Sequence, residues 1–341
     1  MPTFGPAVMY EVSRARIRSH VTTTAAQERI RRLEKLPFVA AGAPDATLIG
    51  GFFGGVRDVL THRSLLDLLI RRELKARYKD SSLGFVWSFV RPLTMLLIYY
   101  VAIGQFLGAA RSVPQYAIFV YSGLTIWGLY NEIIASSTMS ILANAGLIKK
   151  VYVPRELFPL ASIGSALFNF GIQMIVLLAA ILLTGQFPLS WNLLYALAAV
   201  VIVITYGTAL ALFLSAWNVY LRDIQYLVEV ALLILFWASP IVYSWTQVQT
   251  IGAHHPWVSS VYLANPMTDA ILAFQKGMWE AGSKPTQLGL TATGQPNIIQ
   301  PVDWPQNLDF RLLVVFVVGL VLVWVAQRVF ARLQGNFAQE I

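Results

Sequence analysis

The sequence is poor in the residues on which secreted domains and soluble enzymes depend. It contains no cysteine, which excludes disulfides, thiolate metal ligands and cysteine nucleophiles and leaves the redox compartment undetermined. Charged residues make up only 12% of the 341 positions, whereas hydrophobic residues make up 57%. Soluble domains contain about 25% charged and about 45–50% apolar residues. The composition therefore excludes an ordinary soluble domain and predicts an integral membrane protein.

The sequence also lacks the motifs of a self-contained enzyme. No G-x-x-x-x-G-K-[ST] segment occurs, so the chain cannot bind ATP through a phosphate-binding loop. His62 and Asp67 have the H-x-x-x-x-D spacing of some acyltransferases, but no second acyltransferase element accompanies them. The adjacent His254 and His255 face different ways and make a poor metal pair. We predict no catalytic residue, metal or cofactor in this chain, so any ATP and Mg²⁺ on which it depends would be bound by a partner.

The positive charge is concentrated at one end of the chain. The net charge is +8, and 14 of the 25 Lys and Arg residues lie before residue 81. A basic flank next to an apolar stretch is typical of membrane proteins. The acidic partner that it indicates is phospholipid, and not nucleic acid.

Apolar runs of about twenty residues predict six transmembrane helices. They lie near residues 85–107, 116–138, 158–183, 193–216, 226–244 and 311–331. Basic residues precede the first run and follow the even-numbered runs, as Lys150 and Arg222 illustrate. By the positive-inside rule both termini are cytoplasmic. The expected fold class is an all-α, multi-pass protein of the bacterial plasma (inner) membrane.

Residues 64–80 predict an amphipathic helix on the cytoplasmic membrane surface. One arc of this helix carries five large apolar residues, which we expect in the acyl boundary, and the basic residues lie largely on the other side. The five are Leu65, Leu66, Leu69, Ile70 and Leu74. The alternative, a solvated helix, would leave these side chains in water.

The first 63 residues are expected to form a cytoplasmic extension and linker. Within this extension, the stretch RARIRSHVTTTAAQERIRRLEKL is polar and basic, which is typical of a solvated tail. The stretch LPFVAAGAPDATLIGGFFGGV is broken by proline, aspartate and several glycines, unlike a signal peptide. We expect a membrane domain over residues 64–335 and a cytoplasmic tail over 336–341.

Four stretches of the sequence occur in an order that matches a known family. They are RELKARYKDSSLGFVWSFVRPL, SGLTIWGLYNEIIASSTMSILANAGLIKKVYVPRELFPL, NVYLRDIQYLVEVALLILFWASPIVY and NPMTDAILAFQKGMW. Together they resemble the permeases of type-2 ABC exporters for polysaccharides and polyol phosphates. The resemblance implies short re-entrant helices over about 250–280 and a homodimer bound to two copies of a cytoplasmic ATPase. The extension before residue 64 departs from the usual pattern.

The segment GLIKKVYVPRELFP joins the second and third predicted spans. It is short, cationic and bounded by Pro154 and Pro159, so it can form a stiff elbow. By itself this segment also fits a basic loop that only sets topology. The resemblance implies that it docks in a groove of the ATPase subunit. The residues to which we assign this coupling role are Lys149, Lys150, Arg155 and Glu156.

The resemblance implies a lipid-linked glycan as substrate, and basic residues of the surface helix are expected to contact its pyrophosphate headgroup as it leaves the cytoplasmic leaflet. This predicted headgroup site consists of Arg71, Arg72, Arg77 and Lys79.

Aromatic rings on the first two predicted spans suit a glycan that slides past them. Helix packing or an interfacial aromatic belt is an equal alternative for each ring. The candidate path residues are Phe85, Trp87, Phe89, Tyr100, Trp127 and Tyr130.

Glu132 is the one carboxylate well inside a predicted span. We interpret it as a hydrogen-bond partner between helices, with a place on the substrate path as the alternative. Few carboxylates lie in the spans and no internal repeat is visible, which disfavours an ion-coupled transporter.

These features and the family resemblance together imply the membrane subunit of an ATP-driven exporter. Its expected substrate is a polyprenyl-pyrophosphate-linked polysaccharide such as O-antigen, teichoic acid or galactan. The expected partners are a second copy of the chain, two ATPase subunits, membrane lipids and the lipid-linked glycan, without nucleic acid. The main alternative is an exporter of the same fold that moves a small lipid or a drug.

Overall fold

The structure is a computed structural model. It describes residues 50–78, 86–151, 153–184, 190–290, 296–299, 301–302 and 304–340. The extension over residues 1–49, the basic residue Lys79 and the aromatic residue Phe85 lie outside the described residues.

Most of the described residues are helical. The α-helices, in chain order, are α1 Gly50–Thr61, α2 Arg63–Tyr78, α3 Trp87–Tyr99, α4 Tyr116–Ala143, α5 Ala145–Ile148, α6 Leu157–Leu183, α7 Leu193–Tyr220, α8 Ile224–Trp237, α9 Trp245–His254, α10 Pro256–Ala264, α11 Pro266–Met278, α12 Leu308–Leu333 and α13 Phe337–Glu340. A π-helical segment, Tyr100–Phe106, continues α3.

Five helical stretches in the described part of the chain are long and apolar enough to cross a membrane. They are Trp87–Phe106, Tyr116–Ala143, Leu157–Leu183, Leu193–Tyr220 and Leu308–Asn336. The helix at the fifth predicted span, α8, has only 14 residues and ends three residues before Pro240. Proline lacks a backbone N–H and disfavours helical geometry in the residue before it. The predicted continuation to residue 244 is therefore not helical.

The structure contains a short β-hairpin that the all-α prediction did not include. Strand β1, Thr286–Leu290, pairs antiparallel with strand β2, Pro296–Ile299. The hairpin lies between α11 and α12 in the chain. The described residues are thus mainly, and not entirely, helical.

Helix α4 lies at the centre of the bundle. Of the 18 consecutive residues that make up its most apolar stretch, 72% are buried, whereas only 6% are buried in the corresponding stretch of Trp87–Phe106. Most serine and threonine hydroxyls on α4 donate to carbonyls of the same helix, as Thr125 does to Tyr121, whereas the Ser137 hydroxyl donates to the Pro159 carbonyl on α6. The first long helix instead presents apolar side chains outward, including Leu97 and Phe106.

The apolar arc of α2 packs on protein, which corrects the expectation that its side chains lie in the acyl boundary. Leu69 is only 2% exposed and packs with Leu157 and Phe158 at the start of α6. Ile70 lies against Gly164 of the same helix. An amphipathic arc fits either a lipid surface or a neighbouring helix, and here it covers α6.

Candidate coupling and substrate-contact sites

The predicted coupling elbow begins with the short helix α5. Asn144 separates this helix from α4, and Lys149 and Lys150 follow it with exposed side chains. Val151 is also exposed. This tip presents two cations and an apolar side chain outward, which is a surface that a partner protein can contact.

The other two predicted coupling residues face inward. The Arg155 guanidinium lies 5.7 Å from the centre of the Phe337 ring, a cation–π contact with the C-terminal helix α13. Gln327 Nε2 on α12 donates to Glu156 Oε1 at 3.2 Å. The structure thus separates the predicted set into an exposed lysine pair and two residues that hold the chain's own helices.

Helix α1 covers the Glu156–Gln327 contact. It crosses at Gly55, where an added Cβ would lie 2.6 Å from Gln327 Nε2 and 3.4 Å from Glu156 Oε2. Burial raises the pKa of Glu156 above its ordinary value, and the hydrogen bond from Gln327 lowers it by a smaller amount. The residue at the end of the elbow is therefore packed between the two ends of the described chain.

The basic residues of the predicted headgroup site have different surroundings. Arg71 forms an exposed pair with Asp67, with an N–O distance of 2.8 Å. Arg72 donates to the Asn144 side chain at the start of α5. Arg77 pairs with Glu132 on α4. Two of these guanidinium groups therefore fasten α2 to the elbow and to the bundle.

Glu132 connects three helices. Besides the pair with Arg77 on α2, its Oε1 accepts from Asn169 Nδ2 on α6 at 2.5 Å. The Glu132 side chain is 22% exposed. It therefore forms a polar contact between helices, which is the first of the two roles considered for it.

Sequence reasoning missed Glu73. Its carboxylate accepts from the Ser162 hydroxyl on α6 at 3.0 Å, and burial raises its pKa, with the Ser162 bond acting in the opposite direction. The available signal was spacing, because Glu73 follows Leu69 by four residues and so lies on the same helix face. An acidic residue on the buried face of a basic helix predicts a polar contact beneath it.

The aromatic residues of the candidate glycan path differ in burial. Trp127 and Tyr130 are buried in the bundle core, with ring centroids 5.7 Å apart, and Trp127 also contacts Phe236 of α8. Trp87 is 54% exposed, and Tyr100 is exposed near the Tyr116 ring. Phe89 is partly buried. Burial inside one chain favours the packing alternative for Trp127 and Tyr130 more than for the other rings.

The histidines do not form a site with their predicted neighbours. His62 lies 3.1 Å from Asp58, while Asp67 pairs with Arg71. His254 Nδ1 lies 3.3 Å from the carbonyl oxygen of Thr250 in its own helix. Within the described ranges, no group of three or more His, Asp or Glu residues could hold a metal ion.

Two apolar grooves flank the outward face of α7. Their volumes are about 580 and 620 Å³, and both are lined by Trp191, Leu194 and Leu197. None of the candidate path residues lines either groove. The grooves therefore do not correspond to the predicted glycan path.

The sequence is similar to one family model and to several named proteins that agree with it. The model of the family described as ABC-2 type transporter matches residues 64–279. The chain is 27% identical over 286 residues to the "O-antigen export system permease protein RfbA" of Myxococcus xanthus, a match that covers 84% of this chain and 98% of that protein. It is 29% identical over 216 residues to a Klebsiella pneumoniae protein of the same name, covering 62% of this chain and 80% of the relative.

A third relative extends the similarity beyond O-antigen permeases. The "Capsule polysaccharide export inner-membrane protein CtrC" of Neisseria meningitidis is 27% identical over 154 residues, covering 44% of this chain and 57% of that protein. The family match begins at residue 64 and therefore leaves out helix α1 and the residues before it.

Proposed function

Because this chain belongs to the ABC-2 type transporter family, we propose that it exports a polyprenyl-pyrophosphate-linked polysaccharide across the inner membrane, driven by ATP. It is a multi-pass inner-membrane protein and a transport subunit. The observation that carries the proposal is the similarity to the Myxococcus O-antigen permease, which spans 98% of that protein. The capsule-export relative supports the same substrate class.

Six crossings with both termini in the cytoplasm are part of the proposal. Helix α8 has 14 residues, so it spans about 21 Å at ~1.5 Å per residue, less than the ~30 Å hydrocarbon core. The non-helical residues after it would complete that crossing, and the short helices over about 250–280 would form a re-entrant pair on the outer side. Irregular backbone is tolerated at membrane depth where protein surrounds it.

The exposed end of the elbow supports an ATPase partner. Lys149 and Lys150 extend from a short helix between two long apolar helices, where a movement of a cytoplasmic partner can be transmitted to the bundle. We assign ATP and Mg²⁺ to that partner, in two copies on a homodimer of this chain. The exposed apolar surface of Trp87–Phe106 supports a second copy or lipid beside it.

Contact with the pyrophosphate headgroup is proposed for the basic side of α2. Arg71 and Lys75 are exposed there, with Arg71 in a surface ion pair with Asp67. Arg72 and Arg77 already bond to Asn144 and Glu132, so their contribution requires exchange of those bonds or acts through position. A lipid carrier with a doubly charged headgroup fits this surface better than an uncharged drug does.

Charge reversal of the exposed lysine pair tests the coupling proposal. The Lys149→Glu, Lys150→Glu variant should retain roughly one-tenth or less of the co-purifying ATPase, because an interface charge pair would become repulsive. Arg155→Glu should instead lower thermal stability, since it removes the contact with Phe337. Lys284→Glu, an exposed substitution elsewhere, is the control. Full ATPase recovery with the double variant would contradict this role.

Single cysteines test the proposed topology in this cysteine-free chain. Arg71→Cys should react with a membrane-impermeant maleimide only after the cytoplasmic side is opened. Lys284→Cys should react in intact cells. Both positions are exposed, so labelling reports the side of the membrane and not burial. Labelling of position 71 in intact cells would reverse the assignment.

A further inference from the structure

The backbone between α8 and α9 is non-helical and buried. In this segment Ser239, Ile241 and Val242 are all at most 2% exposed. Proline at position 240 supplies no N–H group. Carbonyl groups freed from a helix inside a bilayer need partners from the protein itself.

Side-chain donors satisfy three carbonyls around this break. The Tyr243 hydroxyl donates to the Trp237 carbonyl at 2.8 Å. Gln275 Nε2 on α11 donates to the Pro240 carbonyl at 3.2 Å, and the Tyr116 hydroxyl on α4 donates to the Val242 carbonyl at 2.8 Å. The break is therefore fixed by two other elements, α4 and α11.

Helix α4 is shaped to receive the break. Gly123 follows Tyr116 by seven residues, about two helical turns, and so lies on the same face. A Cβ added at Gly123 would lie 3.0 Å from the Ile241 carbonyl oxygen and 3.0 Å from Gln275 Nε2. Any larger residue at this position would have to displace the break or the Gln275 amide by a few tenths of an ångström, so glycine suits this close approach to α4.

A second contact joins the break to α11. Asn265 Nδ2 donates to the Ser239 hydroxyl at 3.1 Å, while Asn265 Oδ1 caps α11 by accepting from the Met267 N–H at 3.0 Å. Asn265 thus bonds the break and the start of α11 together. The side chains of Tyr116 and Gln275 are themselves buried, at 3% and 1% exposure.

Tyr116 also contacts the outer end of the first long helix. A Cβ added at Gly104, within the π-helical segment, would lie 2.8 Å from Tyr116 Cδ1. The Tyr100 and Tyr116 ring centroids are 6.5 Å apart. One side chain therefore lies between the end of the first long helix and the break after α8.

We propose that Tyr116 and Gln275 are positioning residues for export, which clamp the break at Pro240 so that it moves with α4 and α11 as one body. Proline breaks often serve as hinges, but a hinge requires backbone groups that can exchange partners as it bends. Here the carbonyls on both sides of Ile241 are bonded to side chains of other elements. The clamp itself is inferred from the contacts alone, whereas its role in export rests on the function proposed above.

Hydrogen exchange tests the clamp independently of function. Full-length protein in lipid nanodiscs would be compared as wild type, Tyr116→Phe, Gln275→Met and Tyr206→Phe. Tyr206 is the matched control, because its hydroxyl also donates to a carbonyl of another helix, that of Val315. Loss of a clamp bond should accelerate exchange at the Ser239 and Ile241 amides about five-fold, whereas Tyr206→Phe should leave them unchanged. Unchanged exchange in both clamp variants would overturn the proposal.

Surface polysaccharide and ATP hydrolysis test the positioning role. Tyr116→Phe should reduce surface polysaccharide several-fold at unchanged ATP hydrolysis of the purified complex, because the altered part is remote from the elbow. Tyr206→Phe should reduce neither. If a clamp variant shows accelerated hydrogen exchange but exports as much polysaccharide as the wild type, the positioning role is overturned and the clamp is purely structural. Absence of exported polysaccharide in wild-type cells would count against the proposed function, and the exchange result would still decide on the clamp.

Discussion

Glu156 shows how a single residue can have a role different from the one its position suggests. It ends the cationic elbow, yet its carboxylate accepts from Gln327 and is covered by α1 at Gly55. Burial raises its pKa, so the folded protein binds the Glu156 proton more tightly than the unfolded chain does. The protonated form of this residue therefore favours the folded state.

The effect on stability has a definite sign. The stabilising contribution is complete below the ordinary glutamate pKa of 4.5 and is lost as the pH rises through the raised value. Glu156→Gln removes the ionisation and keeps an oxygen that can accept from Gln327. We expect its Tm to exceed that of the wild type by about 2 °C at pH 8, with the difference vanishing near pH 4.5.

Thermal unfolding in detergent between pH 4.5 and 8 provides this measurement. The exposed Glu340→Gln variant is the control and should show no such pH-dependent difference. A difference that stays constant across the pH range would show that burial of the charge is not its cause.

At the residue level, the predicted coupling residues differ in exposure. Lys149 and Lys150 are exposed, as a role in docking requires. The inward contacts of Arg155 and Glu156 involve Phe337 and Gln327, and the second of these is 171 positions away in the chain. Local spacing carries no information about a contact formed by two distant helices.

At the level of elements, the docking of α2 on α6 depends on a close contact between Ile70 and Gly164. A Cβ added at Gly164 would lie 2.4 Å from Ile70 Cδ1, whereas one added at Gly171 of the same helix meets nothing within 4 Å. We expect Gly164→Val to destabilise the protein by roughly 1–3 kcal/mol, as overpacking does. Gly171→Val should change stability much less.

These two variants form a matched pair, because both introduce the same side chain into the same helix. Thermal unfolding of the two purified proteins measures the difference. Equal melting temperatures would show that α2 does not depend on this contact and that its apolar arc can move away from α6.

Helix periodicity predicted α2 and its apolar arc but not what the arc covers. The same spacing of Leu65, Leu69 and Ile70 satisfies a lipid surface and a neighbouring helix equally. The fifth span was predicted to continue to residue 244, although the proline at position 240 gives a local reason for α8 to end before it. The side chains that hold the break could not be predicted, because Tyr116 and Gln275 lie 126 and 35 positions from their acceptors.

At the level of the whole molecule, apolar surface is distributed unevenly. Only 17% of the residues in the most apolar stretch of Leu308–Asn336 are buried, and only 6% in that of Trp87–Phe106, whereas most of the residues in the apolar stretch of α4 are buried. A single chain therefore leaves two long helices to be covered by lipid or by a second copy. Composition alone predicted membrane embedding, and four ordered sequence stretches predicted the family, which the match over residues 64–279 confirms.

Depletion of the chain in its native cell tests most directly the proposal that the molecule exports a lipid-linked polysaccharide. The measurement is the amount and the membrane side of polyprenyl-pyrophosphate-linked glycan, together with the polysaccharide at the cell surface. We predict that the lipid-linked glycan accumulates several-fold on the cytoplasmic face while surface polysaccharide falls, and that expression of the wild-type chain reverses both changes. If no lipid-linked glycan accumulates and surface polysaccharide persists, the chain exports something else, and a small lipid or a drug becomes the substrate to test.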